Sequence, residues 1–442
     1  MRGTTADART LLAEWAAVRR GDLDLVSLAD EICTRIESVD ADLQAFVAEP
    51  DRRQRVRTEV SELVRRWPDP RERPPLFGVP LGVKDVVHVD GLPTGAGARL
   101  PIEVLAASDA VEAPAVARLR DAGALVVGKT VTAEFAFMAP GPTRNPHDLR
   151  HTPGGSSSGS AAAVAAGLVA LAIGTQTVGS VIRPAAFCGV VGFKPTYGRI
   201  RTAGVIANAP SFDTVGLLSH DVATATTAAA VVCDGWRART EVGPMRRPVL
   251  GVPEGPYLDQ ATAEARQAFA DQVGHLEDAG FAVRRISTLT DLGDVIQRND
   301  LINLVELART HETWFRTYED RYREQSATAI REGRRISVQA YERALTERKE
   351  YAAALVAQMD AEGIDMWIAP AATGPAPEGL HTTGSPLMNL PWTQARLPVV
   401  GVPAGAAANG LPLGVQFAAR PNADEDLLNW AVELEGALAT SA

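Results

Sequence analysis

The sequence has few cysteines and no long apolar run. Only three cysteines occur in 442 residues, Cys33, Cys188 and Cys233, and they lie far apart. This spacing excludes a disulfide framework and offers no metal-ligand pattern, so a reducing cytoplasm is expected, without metal or cofactor. The longest apolar run, residues 161–173, contains a glycine and is too short to span a bilayer. The N-terminus has no apolar core of a signal peptide.

Positive charge is also in deficit. Lys and Arg total 44 against 54 Asp and Glu, which gives a net charge of −10. Binding of nucleic acid phosphates needs clustered Lys and Arg, whereas the arginines here are scattered, so nucleic acid is not expected as a partner. Small anionic ligands are not excluded, because they respond to local charge.

What the sequence does have is an alternation of β-rich and helical segments. Residues 1–70 are predicted as an N-terminal helical layer, in which Leu28, Ile32 and Ile36 repeat at helical spacing. After a Pro-rich break, short β-rich runs alternate with helices to the C-terminus. This alternation predicts an α/β fold over residues 71–442, with a large mixed, mostly parallel sheet covered by helices and a helical excursion over residues 299–361.

The individual elements of this core follow from local patterns. Helices are predicted at residues 113–121, 161–171, 261–279 and 424–438. Strands are predicted at residues 76–83, 86–89, 124–127, 247–252, 282–286, 366–369, 398–403 and 413–417.

Two familiar motif patterns occur in the chain, but neither is expected to have its usual function. Residues 123–130 match the P-loop pattern, but the four residues between the glycines are apolar and β-prone, so a strand ending in Gly128 is predicted instead of a phosphate-binding turn. Residues 155–159 match the nucleophile elbow of α/β-hydrolases, but a turn precedes them where that motif needs an apolar strand. Lys129 is therefore not assigned a catalytic role.

Three other segments carry residues suited to serine chemistry. Lys84 follows an apolar β-like run and is expected at a strand end, where burial lowers a lysine pKa toward that of a general base. Serines at residues 156–160 follow two glycines, and some of them are expected to cap the next helix. Ser180 ends a small-residue loop, which forms either a tight turn or an oxyanion hole. Serine needs a base and no histidine is well placed, so Lys84 acting through Ser156 is the candidate.

These segments resemble the amidase signature family, whose members use a Ser–cis-Ser–Lys triad. The similarity is dense over residues 76–219 and continues to residues 403–416. It implies that Lys84 is the general base, that Ser156 is the bridging serine after a cis peptide bond, and that Ser180 is the nucleophile. The oxyanion hole would then consist of the backbone N–H groups of Thr177, Val178, Gly179 and Ser180.

The sequence departs from the family pattern near the nucleophile. Many members have Asp where Gln176 stands and Gly where Val178 stands, and the larger Val178 bears on substrate size more than on activity. Many members also have an arginine two residues after the nucleophile, whereas Arg183 follows at three. A malonamidase-like relative uses an arginine so placed to hold a substrate carboxylate. The favoured alternative is that Arg183 only braces the loop.

The substrate pocket is expected to be lined by less regular segments. As a group, the apolar candidates indicate an apolar or aryl acyl group or amine, and ordinary core packing is the alternative for each one alone. The nominated residues, in addition to Arg183, are Phe135, Phe137, Met138, Leu304, Trp314, Leu387, Met388 and Trp392.

The sequence therefore predicts an amidohydrolase that cleaves a linear amide, or a carbamate (urethane) or urea, through an acyl-enzyme on Ser180. The alternative is a glutaminase-type subunit of a tRNA-dependent amidotransferase, for which this chain is expected to be short. The expected partner is a small-molecule amide or carbamate, with no nucleic acid and no membrane. The expected state is a monomer or homodimer.

Overall fold

The computed structural model describes residues 8–105, 111–238 and 245–439, with the backbone alone described for residues 8–12. Over these ranges the chain forms ten strands that join one sheet. The strands are β1 (Pro80–Lys84), β2 (Leu125–Thr130), β3 (Leu171–Gln176), β4 (Val191–Lys194), β5 (Thr214–Ser219), β6 (Val249–Glu254), β7 (Ala282–Ser287), β8 (Met366–Pro370), β9 (Val399–Ala406) and β10 (Pro412–Ala419).

The sheet is mixed, in the order β2-β1-β3-β5-β4-β9-β10-β8-β6-β7. Its two ends are parallel: β1 pairs with β2 and β3, and β6 pairs with β7 and β8. The middle is antiparallel from β3 through β5, β4, β9 and β10 to β8. The predicted α/β fold with a large mixed sheet covered by helices is confirmed, although among the described strands antiparallel pairs slightly outnumber parallel ones rather than the reverse.

Helices cover this sheet. Those described are α1 (Ala8–Arg20), α2 (Leu25–Leu43), α3 (Arg52–Arg66), α4 (Ile102–Leu105), α5 (Pro114–Asp121), α6 (Ser158–Ala165), α7 (Ile182–Cys188), α8 (Val222–Val232), α9 (Ala263–Asp278), α10 (Leu292–Thr310), α11 (Glu312–Tyr318), α12 (Glu324–Gly333), α13 (Val338–Ala361), α14 (Leu390–Gln394) and α15 (Asp424–Ala439). No helix within the described ranges is long and apolar enough to cross a bilayer.

The first three helices precede the sheet and form a layer beside it. The apolar side chains Leu28, Ile32 and Ile36 of α2 are buried, as their helical spacing predicted. Helix α2 packs on α3, and α3 packs on the edge strand β2. Arg55 of α3 reaches the sheet directly, because its Nη1 donates to the carbonyl of Val126 at 2.8 Å.

The helix predicted over residues 161–171 is shorter in the structure. It is α6, which ends at Ala165, and Gly167 with φ +65° turns the chain into β3. Residues 171–176 are therefore a fully buried strand, where the sequence suggested a helix followed by a loop. The alanine-rich sequence favours helix locally, but the left-handed glycine ends it.

The predicted strand at residues 86–89 is a turn with isolated bridges at Val87 and Val89. It turns because the Val87 N–H donates to the Lys84 carbonyl at 2.9 Å, so β1 stops at Lys84. Strands β4 and β5 were not predicted. Both are short, and each contains a glycine, which weakens a strand signal.

The charged segment predicted as a helical excursion contains helices α10 to α13, although α10 begins earlier, at Leu292. Helix α10 packs against α12, α13 and α14. Around Phe135 an aromatic cluster joins this segment to the core, with ring centroids at 4.4 Å for His311, 5.1 Å for Tyr322 and 6.1 Å for Trp314. These contacts hold the C-terminal end of α10 and the residues after it beside the segment that follows β2.

Candidate active site

Lys84 is the last residue of β1 and is completely buried. It lies deep because β1 runs between β2 and β3 near one end of the sheet. Its Nζ donates to Ser156 Oγ at 2.8 Å and to Thr175 Oγ1 at 2.7 Å. Among the described residues no carboxylate lies within ion-pair distance of this nitrogen. Burial therefore holds the pKa of Lys84 well below its usual range, with an opposing contribution from Asp213.

Ser156 lies between β2 and α6 in the Gly/Ser loop, and the peptide bond that joins it to Gly155 is cis. The loop packs tightly: a Cβ on Gly155 would lie 2.7 Å from Thr383 Cγ2. Neighbouring serines make other bonds, since Ser158 Oγ donates to the Val131 carbonyl at 3.3 Å and Ser160 Oγ donates to the Ile173 carbonyl at 2.9 Å. Among the serines of this segment, Ser156 is the one whose Oγ accepts from Lys84 Nζ.

Ser180 lies on the loop between β3 and α7 and is 8% exposed. Its carbonyl accepts from the Ser157 N–H at 3.3 Å, which joins the two serine loops through their backbones. The backbone N–H groups of the four predicted oxyanion residues donate to no acceptor within the described part of the protein. These groups, which belong to Thr177, Val178, Gly179 and Ser180, are free for a ligand.

Gln176 fixes the shape of this loop. Its Oε1 accepts from the N–H groups of Val181 at 2.8 Å and Ile182 at 3.0 Å, and its Nε2 donates to Thr393 Oγ1 at 2.9 Å. The Thr393 hydroxyl donates in turn to the Val178 carbonyl at 2.7 Å. Because the C=O and N–H of a trans peptide point in opposite directions, this bond turns the next N–H, that of Gly179, away from α14.

Thr177 is held from the other side. Its Oγ1 donates to Asp213 Oδ1 at 2.6 Å, and Asp213 Oδ2 accepts from the N–H groups of Asn208 at 2.7 Å and Ala209 at 3.0 Å. Burial raises the pKa of Asp213, and the hydroxyl and backbone donors oppose that rise. Asp213 thus fixes the start of the loop and places one acidic group near Lys84.

Arg183 is buried in α7 without a carboxylate partner among the described residues. Its Nη2 donates to the Gly155 carbonyl at 2.6 Å and to Thr383 Oγ1 at 3.1 Å, while its Nε and Nη1 have no partner within the described ranges. Burial lowers its pKa to about 9. The guanidinium therefore braces the peptide that precedes Ser156 and retains two donor nitrogens that have no partner among the described residues.

A cavity of about 440 Å³ opens beside Ser180. The four oxyanion residues line it, together with five of the nominated pocket residues: Phe137, Met138, Arg183, Leu304 and Leu387. A larger cleft of about 750 Å³ lies near α2 and α3, but none of the three triad residues lines it. The smaller cavity is the candidate substrate site because it contains the predicted nucleophile.

Four nominated pocket residues do not line this cavity. Phe135 is fully buried in its aromatic cluster, where Trp314 stacks on it. Trp392 is buried against Trp367, and its Nε1 donates to Tyr257 Oη at 3.1 Å. The Met388 side chain is fully buried. Their spacing in the sequence could not separate cavity wall from core, because both are apolar.

Several residues of the site were not nominated from the sequence. Thr175 bonds Lys84, Thr393 bonds the oxyanion loop, and three asparagines line the cavity: Asn208, Asn299 and Asn303. Thr175 lies in β3 directly before Gln176 and the oxyanion loop, which is residues 177–180. Its position beside that loop is a weak indication, in the sequence, of a role in the site. Thr393 and the three asparagines lie in segments distant along the chain, and no local motif marks them.

The two rejected motifs lie in other structures. Residues 125–130 of the P-loop pattern form β2, and Lys129 is buried in an ion pair with Asp85 at 3.0 Å. Ser157, the centre of the elbow pattern, exchanges hydrogen bonds with Thr175, as donor to its carbonyl and acceptor from its N–H, each at 3.2 Å. Within the described ranges no group of His, Cys, Asp and Glu is arranged to hold a metal ion.

The large mixed sheet and the lysine–serine site define a hydrolase of carbon–nitrogen bonds. The chain belongs to the amidase signature family, since the Amidase family model matches residues 27–428.

Relatives with known names or structures cover almost the whole chain. The A-type subunit of glutamyl-tRNA(Gln) amidotransferase from Roseiflexus sp. (strain RS-1) is 32% identical over 96% of this chain and 94% of the relative. A crystal structure of an amidase superimposes with a TM-score of 0.87 at 30% identity, over 97% of this chain and 99% of the other. Native peptide amidase from Stenotrophomonas maltophilia gives 0.81 at 27% identity, over 99% and 97%.

Proposed function

We propose that this protein hydrolyses a linear amide through an acyl-enzyme on Ser180, with Ser156 and Lys84 as the proton relay. The observation that carries the proposal is the buried Lys84, whose Nζ lies 2.8 Å from Ser156 Oγ without an ion-pair partner in the described chain. The lowered pKa of Lys84 favours the neutral amine, whose free lone pair suits it to act as a general base.

The reaction would begin with proton transfer from Ser180 Oγ to Ser156 Oγ, as the Ser156 proton passes to Lys84 Nζ. Ser180 Oγ attacks the amide carbon, and the free N–H groups of the loop stabilise the negative oxygen of the tetrahedral intermediate. The proton then returns through Ser156 to the leaving nitrogen as the C–N bond breaks. Water hydrolyses the resulting ester by the same relay and releases the acid.

The cavity supports a substrate with an apolar part. Phe137, Met138, Leu304 and Leu387 supply apolar surface, and Met138 is 63% exposed at the wall. Aryl amides fit this surface, and carbamates and ureas present a carbonyl of similar shape. A small-molecule substrate and a monomeric or homodimeric enzyme remain part of the proposal.

Arg183 has two roles that the same geometry supports. Its Nη2 braces Gly155, and its unpaired Nε and Nη1 are able to bind a substrate carboxylate. Hydrolysis of malonamate in preference to aryl amides would assign Arg183 to the carboxylate. Hydrolysis of the neutral amides alone would show that Arg183 only supports the peptide at Gly155.

Three serine variants test the mechanism. We expect Ser180→Ala to abolish acyl-enzyme formation, measured by mass spectrometry after rapid quenching with an aryl amide. Ser156→Ala should lower kcat by about 10²- to 10⁴-fold, as loss of general-base assistance does elsewhere. Ser158→Ala, two residues further on at the start of α6 and bonded to Val131, is the matched control and should keep its turnover. Near-full turnover by Ser180→Ala would rule the mechanism out.

The names of the relatives support a second candidate, a glutaminase-type subunit of an amidotransferase. Such a subunit would show strong hydrolysis only in complex with its partners. Copurification from the native host distinguishes the two functions. A stable complex with an aspartyl/glutamyl-tRNA-binding partner favours the subunit, whereas an isolated chain with full amidase turnover favours the free enzyme.

A further inference from the structure

One wall of the substrate cavity is a face of helix α10. Ile296, Asn299, Asp300, Asn303 and Leu304 line it, with the three- and four-residue spacing of one helix side. Asn299 and Asn303 are one turn apart, about 6 Å along the axis. Ile296 and Leu304 lie beyond them at either end. The wall therefore has a polar centre between two apolar ends.

The asparagines around this cavity are buried although asparagine is mostly an exposed residue. Asn299 is 1% exposed, Asn303 is 8% exposed, and Asn208, on another wall, is 3% exposed. In all three, the side-chain Oδ1 has no hydrogen-bond partner within the described part of the protein. Buried polar atoms are rarely unpaired, so a group of them around one cavity indicates a place where a ligand supplies the partner.

One of these asparagines is fixed as an acceptor by its other contact. Asn208 Nδ2 donates to the Ala136 carbonyl at 3.3 Å. Asn208 therefore uses its NH₂ group within the protein, and its unpaired atom is the carbonyl oxygen. The Asn299 side chain lowers the pKa of the neighbouring Asp300 carboxyl, against the rise that burial causes. Asp300 itself is an exposed residue at the rim of the cavity and adds a negative charge there.

We infer that the substrate carries, besides the scissile carbonyl, a hydrogen-bond-donating nitrogen group, an ammonium or a primary carboxamide, that binds to the oxygens of Asn208, Asn299 and Asn303. The inference rests on the proposed amide hydrolysis and adds a substrate class to it. Both groups present several N–H donors on one nitrogen, which suits acceptors one helical turn apart. A methyl group in that position leaves the buried oxygens unpaired, so the site disfavours it.

Matched substrates measure this preference. Three 4-nitroanilides of equal chain length, of heptanoic acid, of 6-aminohexanoic acid and of adipic acid monoamide, end in a methyl, an ammonium and a carboxamide group. A second set carries the same three ends on the amine side of an acetamide, because either side of the scissile bond is able to face α10. We expect kcat/KM for a nitrogen-ended substrate to exceed that of its methyl-ended partner by at least about tenfold in one set.

Variants of α10 connect the preference to these side chains. Asn299→Leu and Asn303→Leu keep the side-chain size and remove the acceptor. Each should bring the ratio of kcat/KM between the nitrogen-ended and the methyl-ended substrate close to one, while the methyl-ended substrate is still hydrolysed. If Asn299→Leu does not fold, Asn303→Leu carries the test. Asp300→Asn separates the two groups, because it should weaken the preference for ammonium and leave that for carboxamide. Gln297→Leu, exposed on the same helix and outside the cavity, is the matched control.

Binding to the Ser180→Ala protein separates this inference from the proposed reaction. Calorimetric titration with heptanamide, 6-aminohexanamide and adipamide reports Kd without turnover, and a nitrogen-ended amide should bind about tenfold more tightly than heptanamide. If wild-type enzyme hydrolyses no anilide but this order of Kd holds, the proposed reaction fails and the inference stands. Equal Kd values for the three amides would overturn the inference. So would an active wild-type enzyme whose kcat/KM is the same for nitrogen-ended and methyl-ended substrates.

Discussion

At the scale of single residues, two buried lysines with different partners explain why one is suited to catalysis. Lys84 and Lys129 are both almost inaccessible, and burial lowers the pKa of each. Lys129 has Asp85 at 3.0 Å, which opposes the shift and pairs the charge. Within the described ranges, the hydrogen-bond partners of Lys84 Nζ are hydroxyl and carbonyl oxygens. A protonated Lys84 would therefore be a buried cation without a close counter-charge, which favours the neutral base.

The pH dependence of turnover follows from this difference. The base is active when deprotonated, so kcat/KM should fall as the pH falls through the lowered pKa of Lys84 and reach its plateau well below pH 10.5. Lys84→Arg keeps the side chain protonated at every working pH and should lower kcat/KM by about 10²- to 10⁴-fold. A kcat/KM profile with an aryl amide measures both.

The control for that measurement is Lys349→Arg. Lys349 lies on the helical excursion, in α13, away from Lys84 in the fold. The pH profile of kcat/KM of the Lys349→Arg enzyme should match that of the wild type. A Lys84→Arg enzyme with wild-type turnover would show that the proton goes elsewhere.

At the scale of elements, the active site depends on contacts between segments far apart in the chain. The oxyanion loop follows β3, yet Thr393 of α14 bonds both Gln176 and the Val178 carbonyl. As an amide, Gln176 donates to Thr393 as well as accepting from the backbone. Uncharged side chains thus hold the loop on the side of α14, whereas the Asp213 carboxylate holds Thr177 at its start.

Removing the Thr393 hydroxyl should loosen the oxyanion loop. Thr393→Val keeps the side-chain shape, and we expect kcat to fall by about 10- to 100-fold with a small change in KM. This is less than the loss of about 10²- to 10³-fold that removal of an oxyanion donor causes elsewhere, because Thr393 positions the loop without donating to the substrate. Thr226→Val removes a hydroxyl that bonds within α8 and serves as the control. An equal loss of kcat in both variants would indicate general destabilisation instead.

The start of α6 is another point where elements meet closely. A Cβ on Gly159 would overlap the Ala45 carbonyl oxygen and the Val131 backbone nitrogen. Both neighbouring groups belong to the backbone and cannot move aside as a side chain can. Gly159→Ala should therefore lower the free energy of unfolding by about 1–3 kcal/mol or more, as overpacking of a core does. Thermal unfolding measures it.

Gly436→Ala is the matched change, because a Cβ there meets nothing within 4 Å in α15. It should stabilise that helix by about 0.5–1 kcal/mol. Unfolding temperatures that fall alike for both variants would contradict the close approach at Gly159.

At the scale of the whole molecule, one buried group couples stability to pH. Lys194 of β4 is fully buried, and its Nζ donates to the Pro195 carbonyl at 2.8 Å. Burial lowers its pKa to about 7, whereas the unfolded chain keeps the usual 10.5. Between these values the unfolded state binds one proton more than the folded state, so this group makes the free energy of unfolding rise with pH.

We expect Lys194→Met to flatten that rise. The wild-type slope contains up to about 1.4 kcal/mol per pH unit from Lys194 above about pH 7, and the variant lacks it. Urea unfolding at about pH 7, 7.5 and 8 gives the slopes, with Lys349→Met as the comparison. Equal slopes in Lys194→Met and wild type would show that Lys194 is charged in the folded protein.

The sequence alone determined the features that depend on neighbours along the chain. Lys84 after an apolar run, the serines after a Gly-Gly pair and the small-residue loop before Ser180 are local patterns, and so is the alternation that predicts an α/β core. These patterns suffice for the family and nominate the candidate triad, because each of them is a run of residues adjacent in the chain.

The tertiary structure decided what depends on distant segments. It separated Phe137 and Leu304, which line the cavity, from Phe135 and Trp392, which lie in the core. It also brought the asparagines of α10 to the cavity, from a segment far beyond Ser180 in the chain. No local sequence pattern predicts such contacts, because an apolar or amide residue looks the same in the sequence whether it lies in the core or at a cavity wall. Only the packing of helices on the sheet distinguishes them.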